Sequence, residues 1–446
     1  MKRLFGTDGI RAVAGRYPLD RTTIIGLAGA LVELLQGKGL EPSILTGRDT
    51  RESGPWIEEL LFQGIEAGGG KAVSAGIIPT SAVSFLTRKH GFSAGIVISA
   101  SHNPYRDNGI KIFSREGLKI SDEWEADLEK TLADRPDKTG KTKPRVAPRE
   151  DLAEDYQEFL KGQLKHTARK KDLTVVVDCS NGASSAIAPL VFFSLGFKAI
   201  PIFNNPDGKN INRRCGSLHP ESLARLVVDA RADLGIAYDG DADRALWVEA
   251  GGKILNGDHT LFVQSRFLRE QSALKAGTVV ATTMSNVGLE IALRDLGIGF
   301  VRTRVGDKYV LEKMLEIGAN LGGERSGHTI FLDDCPTGDG ILTSLKMVEV
   351  MLSSGASLAE LAAGLNEFPQ VLRNVRVREK ADFKQFPEII RIMEEIKAEL
   401  AEAGRLDVRY SGTEPLARVM VEGEDREKIE GLASRMIAAI AKYLGE

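Results

Sequence analysis

A multidomain α/β protein is what this sequence predicts, and three observations carry that reading. At 446 residues the chain exceeds the roughly 250–300 residues at which a single hydrophobic core stops growing. Short β-branched runs alternate with amphipathic stretches along its length: PSILTG, KAVSAGII, AGIVISA, LTVVVDC, KAIPIF, LGIAYD, GTVVATT and NLGGE. Such alternation marks βαβ units in parallel or mixed sheets. With 42% apolar residues, 47 glycines and 16 prolines, the composition fits a soluble, loop-rich fold and neither a disordered nor a fibrous chain.

Breaks in the rhythm divide the chain. The charged, proline-bearing segment DRPDKTGKTKPRVAPRED reads as an exposed linker before a helix at about Asp151 to Leu164, and a second break falls at NEFPQVLRNV. Four domains are expected, over residues 1–150, 151–250, 251–369 and 370–446. Lys+Arg total 59 against 62 Asp+Glu, so composition offers no basic face for nucleic acid. Cys179, Cys215 and Cys335 are odd in number and scattered, which suits a reducing compartment and neither a disulfide framework nor a zinc ribbon. MKRLFGTDGIRA has no apolar core behind its basic residues, and TTIIGLAGALVELL is too short for a span and broken by Glu33. A cytoplasmic protein with no membrane partner is expected.

Three stretches share a form. FSAGIVISASHNP, ADLGIAYDGDADR and ANLGGERSGH each run from a small-residue strand into a loop rich in Ser, Asp, Glu or His. Their irregular spacing excludes a solenoid. Three α/β domains that each offer one loop to a shared cleft would explain the likeness; the plain alternative is that many α/β strands end this way.

In chain order, FGTDGIRA comes first, with Gly6, Thr7 and Gly9 bracketing Asp8 and Arg11 just after. A tight turn explains these residues as well as a guanidinium beside a phosphoryl group does. Next, SASHNP lifts Ser101 to the tip between two strands. His102 and Asn103 can donate to a phosphate there, Pro104 stiffens the turn, and the alternation of GIKIF puts Lys111 opposite Ile110 and Ile112, within reach of a transferring group. Alone, Ser-His-Asn-Pro is more often a structural turn than a nucleophile.

The partner loop changes that weighting. In DGDADR, Asp239, Asp241 and Asp243 alternate between two strands. Carboxylates so spaced repel unless a cation sits among them, and hard oxygen ligands suit Mg²⁺. An EF-hand needs Gly and Glu where Arg244 and Ala250 stand, and an aspartyl-phosphatase loop usually has Thr or Val where Asp243 stands. A Mg²⁺ on these carboxylates still wants oxygen ligands, and a phosphoryl group on Ser101 would supply one.

Downstream, NLGGERSGHTIF presents Glu324 and Ser326 on glycines, a composition suited to adjacent sugar hydroxyls. His328 is a proton carrier or, equally, a satisfied structural histidine. In RLDVRYSGTEPLARVMVEG, alternating Leu406, Val408 and Tyr410 place Arg409 at the head of a Ser411-Gly412-Thr413 loop, and the return strand brings Arg418. Guanidinium, hydroxyl and backbone donors make a nest for a phosphate dianion, here the phosphate not being transferred.

Taken in order, FGTDGIR, SASHNP with DNGIK, DGDADR, VGDKYV, GERSGH and RYSGTEP resemble the α-D-phosphohexomutase superfamily over nearly the whole chain. Each motif is weak alone; the ordered set is specific. The resemblance implies four domains around a central cleft, three of similar mixed α/β topology and a smaller C-terminal α+β domain. It implies that Ser101 carries the phosphoryl group and binds one Mg²⁺ with Asp239, Asp241 and Asp243. Glu324 and Ser326 match the sugar loop, Arg409, Ser411, Gly412, Thr413 and Arg418 the phosphate loop, and Arg11, Lys111 and His328 the catalytic basic groups. His102 and Arg244 join the substrate-binding set.

Asp307 in VGDKYV, together with NPDGKNINRRCGSLHPE and DCSNGASS, is similar to the amino-sugar branch, whereas hexose mutases usually show His at the Asp307 position. Ala12 and Arg325 depart from the usual pattern. The implied activity is reversible conversion of glucosamine 6-phosphate and glucosamine 1-phosphate, through a phosphoserine enzyme and a bisphosphate that turns around. A hexosamine or hexose bisphosphate is the implied activator, a phosphosugar the partner, and the chain a monomer or homodimer. The alternatives are a mutase of glucose and mannose phosphates, a phosphatase using Asp239 as nucleophile, and a non-catalytic sugar-phosphate sensor.

Overall fold

The computed structural model describes residues 4–6, 8–134, 146–165, 173–411 and 414–445. The chain forms two compact units, Met1–Met284 with Val301–Ala362, and Ser285–Phe300 with Ala363–Glu446.

The first unit contains three sheets built on one plan. The first comprises β1 (Ile10–Val13), β2 (Ser43–Arg48), β3 (Lys71–Ile77), β4 (Ala94–Ile98) and β5 (Asp107–Ser114), in the order β1-β5-β4-β2-β3. Strand β2 runs parallel to β3 and β4, and β4 turns back as antiparallel β5. The second sheet comprises β6 (Thr174–Asp178), β7 (Lys198–Ile202), β8 (Leu234–Tyr238), β9 (Ala245–Glu249) and β10 (Ile254–Leu255), in the order β10-β9-β8-β6-β7. Here β6 is parallel to β7 and β8, and β8 returns as antiparallel β9. The third, of β11 (Thr278–Thr282), β12 (Gly299–Thr303), β13 (Leu321–Gly323) and β14 (Thr329–Phe331), repeats the pattern in the order β12-β11-β13-β14, with β13 parallel to β11 and antiparallel to β14.

The three stretches noted for their likeness are therefore one topological position in three copies. Each is the turn from a central parallel strand into its antiparallel return. Strands β4 (AGIVI) and β8 (LGIAY) are buried at every position, as uninterrupted apolar runs are when both faces of a sheet are covered. In the first domain the helices Arg21–Gly37 and Gly54–Ala67 pack together, and Ile24, Leu31, Ile44, Ile57, Ile96 and Ile110 share one core. At about 1.5–3 kcal/mol per buried aliphatic side chain, that core holds the strand ends in place.

The helix expected near Asp151 spans Glu150–Lys161, and most of the linker before it lies outside the described residues. In the second unit β15 (Gln370–Arg376), β16 (Gly404–Tyr410) and β17 (Leu416–Gly423) form an antiparallel sheet in the order β15-β17-β16. Helices Pro387–Leu400 and Arg426–Leu444 contribute Ile389, Ile396, Ile429, Met436 and Ile440 to its core. NEFPQVLRNV, read as a break, is in its second half strand β15. Only Val371 of that strand is buried, so apolar periodicity leaves it invisible, and pairing along β17 creates it. Among the described residues no helix is long and apolar enough to cross a membrane.

Candidate active site

Ser101 sits at the β4–β5 turn, 1% exposed, with φ 51. A non-glycine residue in that region costs about 1–3 kcal/mol and persists where its surroundings over-determine it. Its Oγ donates to Asp239 Oδ2 at 2.5 Å and lies 3.3 Å from His102 Nδ1. The first bond joins the phosphate-carrying candidate of one domain to the acidic loop of the next.

In that loop one carboxylate oxygen from each of Asp239, Asp241 and Asp243 lies within 4.8 Å of the others, and all three residues are buried. Burial, then the neighbouring carboxylates of Asp243 and Asp241, push Asp239 well above the usual carboxylate range. Burial opposes the charge on Asp241 as well, but Lys111 and the Thr80 hydroxyl outweigh it and hold that carboxyl below its ordinary value. Asp241 Oδ1 and Asp243 Oδ1 are buried without a hydrogen-bond partner. Clustered hard oxygens with lone pairs left over fit a divalent cation such as Mg²⁺.

Lys111 projects from β5 and is 1% exposed, with Nζ 3.0 Å from Asp241, 3.1 Å from Asp8 and 3.4 Å from Asp243. Burial works against its charge, yet Asp241, Asp8 and Asp243 bind the proton more tightly than usual. The N-terminal motif forms the tight turn its residues allow. Gly6 and Gly9 close a turn, and Arg11 pairs with Asp8 while its Nη1 lies 3.5 Å from Asn103 Oδ1.

The third loop is sewn to the second. Ala245 N donates to Gly327 O at 3.2 Å, and Arg244 bridges to His328. Glu324 Oε1 accepts from Gly306 N at 3.1 Å, Ser326 is exposed, and His328 is buried. Neither ring nitrogen of His328 makes a hydrogen bond; Nε2 lies 3.5 Å from Asp307 Oδ2. Arg244 N donates to Asp239 Oδ1 at 3.2 Å, and although burial opposes its charge, Asp239 and Asp243 raise the proton affinity of its guanidinium. Burial, then Arg244 and Arg11, lower that of His102.

Within the second unit Arg409 faces Arg418 across β16 and β17. Arg418 Nη2 lies 3.4 Å from Ser411 Oγ, and Lys380 Nζ donates to Ser411 O at 2.7 Å. Gly412 and Thr413, expected in the same loop, lie outside the described residues, as does Thr7.

Several residues at this site were not singled out from sequence. Thr80 bonds Asp241 Oδ2 at 2.7 Å, Lys119 joins Asp8 and Asp307 at 2.5 Å each, and Arg51 lies beneath the Ser101 loop. Lys380 is a fourth. The local signal for Arg51 was GRDTR, a charged pair at the end of a parallel strand; Lys119 offered none.

Gly240 shows how tightly the first two loops meet. A Cβ there would come 2.5 Å from Ser101 O and 2.8 Å from Asn212 Nδ2. Gly240→Ala must push the serine and acidic loops apart, and kcat is expected to fall about 100-fold, as for a displacement on the 1 Å scale. Steady-state kinetics on the folded variant checks this, and an unchanged kcat would contradict the closeness of the two loops.

Repeated α/β domains bring a buried serine, an acidic cluster that could hold a cation and several basic side chains to one point, an arrangement suited to phosphoryl transfer. Family models described as phosphoglucomutase/phosphomannomutase α/β/α domains I, II and III match residues 2–138, 154–252 and 256–368, and the C-terminal domain model matches 372–439. The chain belongs to the phosphoglucomutase/phosphomannomutase family, whose members are phosphohexomutases and isomerases. It is 48% identical to a Koribacter versatilis protein named phosphoglucosamine mutase, covering 100% of this chain and 98% of that one. Identity to one of the same name from Solibacter usitatus is 45%, with 100% of both covered. The fold matches a crystal structure of a Burkholderia thailandensis phosphoglucomutase/phosphomannomutase family protein at TM-score 0.81 and 24% identity, over 99% and 98% of the two chains. It also matches Aspergillus fumigatus N-acetylphosphoglucosamine mutase, solved with GlcNAc-6P and magnesium, at TM-score 0.68 and 19% identity, over 98% and 95%.

Proposed function

We propose that this chain is a phosphoglucosamine mutase that interconverts glucosamine 6-phosphate and glucosamine 1-phosphate. The observation that carries the chemistry is the 2.5 Å bond from Ser101 Oγ into the buried acidic loop. The amino-sugar substrate is supported by full-length relatives of that name at 43–48% identity.

Phospho-Ser101 gives its phosphoryl group to the free sugar hydroxyl: the P–Oγ bond breaks, a P–O bond to the sugar forms, the hydroxyl proton leaves to a base, and the departing Ser101 Oγ takes up a proton to become the free hydroxyl. The bisphosphate turns over, and its other phosphate returns to Ser101. Asp239, Asp241 and Asp243 would hold one Mg²⁺ with Ser101, and when bound it supplies Lewis-acid withdrawal of charge from the phosphoryl oxygens.

Lys111 and Arg11 stand beside the phosphoryl position as fixed positive charge. Lys111 is held protonated by its three carboxylates, so His328, whose ring nitrogens make no hydrogen bond, is the better proton carrier. His102 and Arg244 line the transfer side. Glu324 and Ser326 read the sugar hydroxyls, while Arg409, Ser411, Gly412, Thr413 and Arg418, joined by Lys380, hold the phosphate that is not reacting. A hexosamine or hexose bisphosphate primes Ser101, and the protein works in the cytoplasm as a monomer or homodimer.

The test is a coupled assay of purified protein, primed with a hexose bisphosphate, on glucosamine, glucose and mannose phosphates side by side. Glucosamine phosphate is expected to turn over fastest. Equal rates on all three would make the chain a general hexose-phosphate mutase.

A further inference from the structure

Resting on the phosphoryl-transfer reading of Ser101, we propose that Arg51 is a positioning residue for that transfer, its guanidinium acting with Asn212 to aim Ser101 Oγ at the acidic loop. Arg51 lies in the turn after β2, and its side chain is 0% exposed. Nε donates to Asp49 Oδ2 at 2.8 Å, Nη1 to Pro104 O at 2.5 Å and Asp107 O at 2.9 Å, and Nη2 to Ser101 O and Asn103 O at 2.8 Å each. A guanidinium has five N–H donors in one rigid plane, and all are engaged. The segment from Ser101 to Asp107 is wrapped around a single planar cation.

The other end of the same ion pair holds the serine from behind. Asp49 Oδ2 accepts from Ser99 Oγ at 2.6 Å, and Ser99 Oγ accepts from Ser101 N at 2.9 Å. Both the N–H and the C=O of Ser101 are thereby gripped through Asp49 and Arg51. This restrains the peptide planes on either side of a residue at φ 51, and those planes set the direction of the Cα–Cβ bond from which Oγ reaches Asp239.

The grip continues into the second domain. Asn212 Nδ2 donates to Ser101 O at 2.8 Å and Asn103 O at 3.2 Å. From the Arg51 turn itself, Thr50 Oγ1 donates to Asn181 O at 2.5 Å and Glu52 N to Gly208 O at 2.9 Å. The turn rivets the domain carrying the serine to the domain carrying the carboxylates. Transfer needs reacting atoms about 3–3.5 Å apart and aligned, and a displacement of about 1 Å costs on the order of 100-fold.

Two variants separate positioning from plain structural support. Arg51→Lys keeps the charge and loses the planar fork. Asn212→Gly removes the outer amide together with its Cβ methylene, at a half-buried position whose φ of 58 glycine accepts freely. Each is assayed beside wild type in the bisphosphate-primed reaction, with Ser101 phosphate followed by intact-mass spectrometry. Wild-type protein that never carries phosphate on Ser101 would overturn the underlying reading. With wild type active, Arg51→Lys is expected to lose about 100-fold in kcat and Asn212→Gly about 10-fold, with KM held within about threefold. Faster loss of the serine phosphate to water should accompany the fall. If Arg51→Lys does not fold, Asn212→Gly decides alone. A folded Asn212→Gly with wild-type kcat, or variants whose KM rises while kcat holds, overturns the positioning role.

Discussion

Ser101→Ala abolishes turnover, by at least about 10⁴-fold, while the chain stays folded and still binds a hexose bisphosphate. Ser101 Oγ is the hydroxyl bonded directly to the acidic loop, at 2.5 Å from Asp239, and alanine leaves the phosphoryl group no acceptor there. The substitution also strands a buried carboxylate oxygen, at a cost of about 1–3 kcal/mol. A modest drop in melting temperature is therefore expected beside the kinetic collapse. Wild-type protein treated with bisphosphate should gain the mass of one phosphoryl group, stable to hydroxylamine and lost in alkali, and the variant should gain none. The reverse lability would locate an acyl phosphate on an aspartate and turn the reading into a phosphatase. An alanine variant keeping a tenth of wild-type activity would end the serine mechanism.

Lys111→Met is the second large effect. Methionine matches much of the lysine stem, so packing is largely kept, but the cation among Asp8, Asp241 and Asp243 is gone. Breaking a buried pair in this way costs about 3–5 kcal/mol, and loss of fixed charge beside the phosphoryl group is expected to lower kcat by about 10²–10³-fold. Mg²⁺ should partly restore stability, because a divalent ion bound only by the folded state supplies the missing positive charge. Melting curves with and without Mg²⁺ should show a larger shift for the variant than for wild type. Equal shifts would mean that Lys111 and the cation do not share these carboxylates.

Much of the site was readable from local patterns. AGIVI and LGIAY announce buried strands as unbroken apolar runs, and turn-forming residues mark where each strand must end. Beyond each strand end the chemistry is written in side-chain identity, as in Ser101 or the alternating acids of DGDADR. Even the kinship of the three loops shows in sequence, and sheet order gives its reason: each is the same turn of the same topology. Strand β15 did not show, because only one of its residues is buried and its existence depends on β17.

By itself the sequence determined most of the elements, the loops at their ends and the side chains those loops carry, strand β15 excepted. Hydrogen bonding along the backbone and burial of apolar runs act over short stretches of chain, and a short window records them. Tertiary structure alone decided which charges meet. Lys119 and Asp307 are 188 positions apart, Arg51 finds its partners in another loop, and His328 is buried with ring nitrogens that make no hydrogen bond. Those pairings join strand ends of one sheet or of different sheets, and they depend on long-range contacts no local pattern contains.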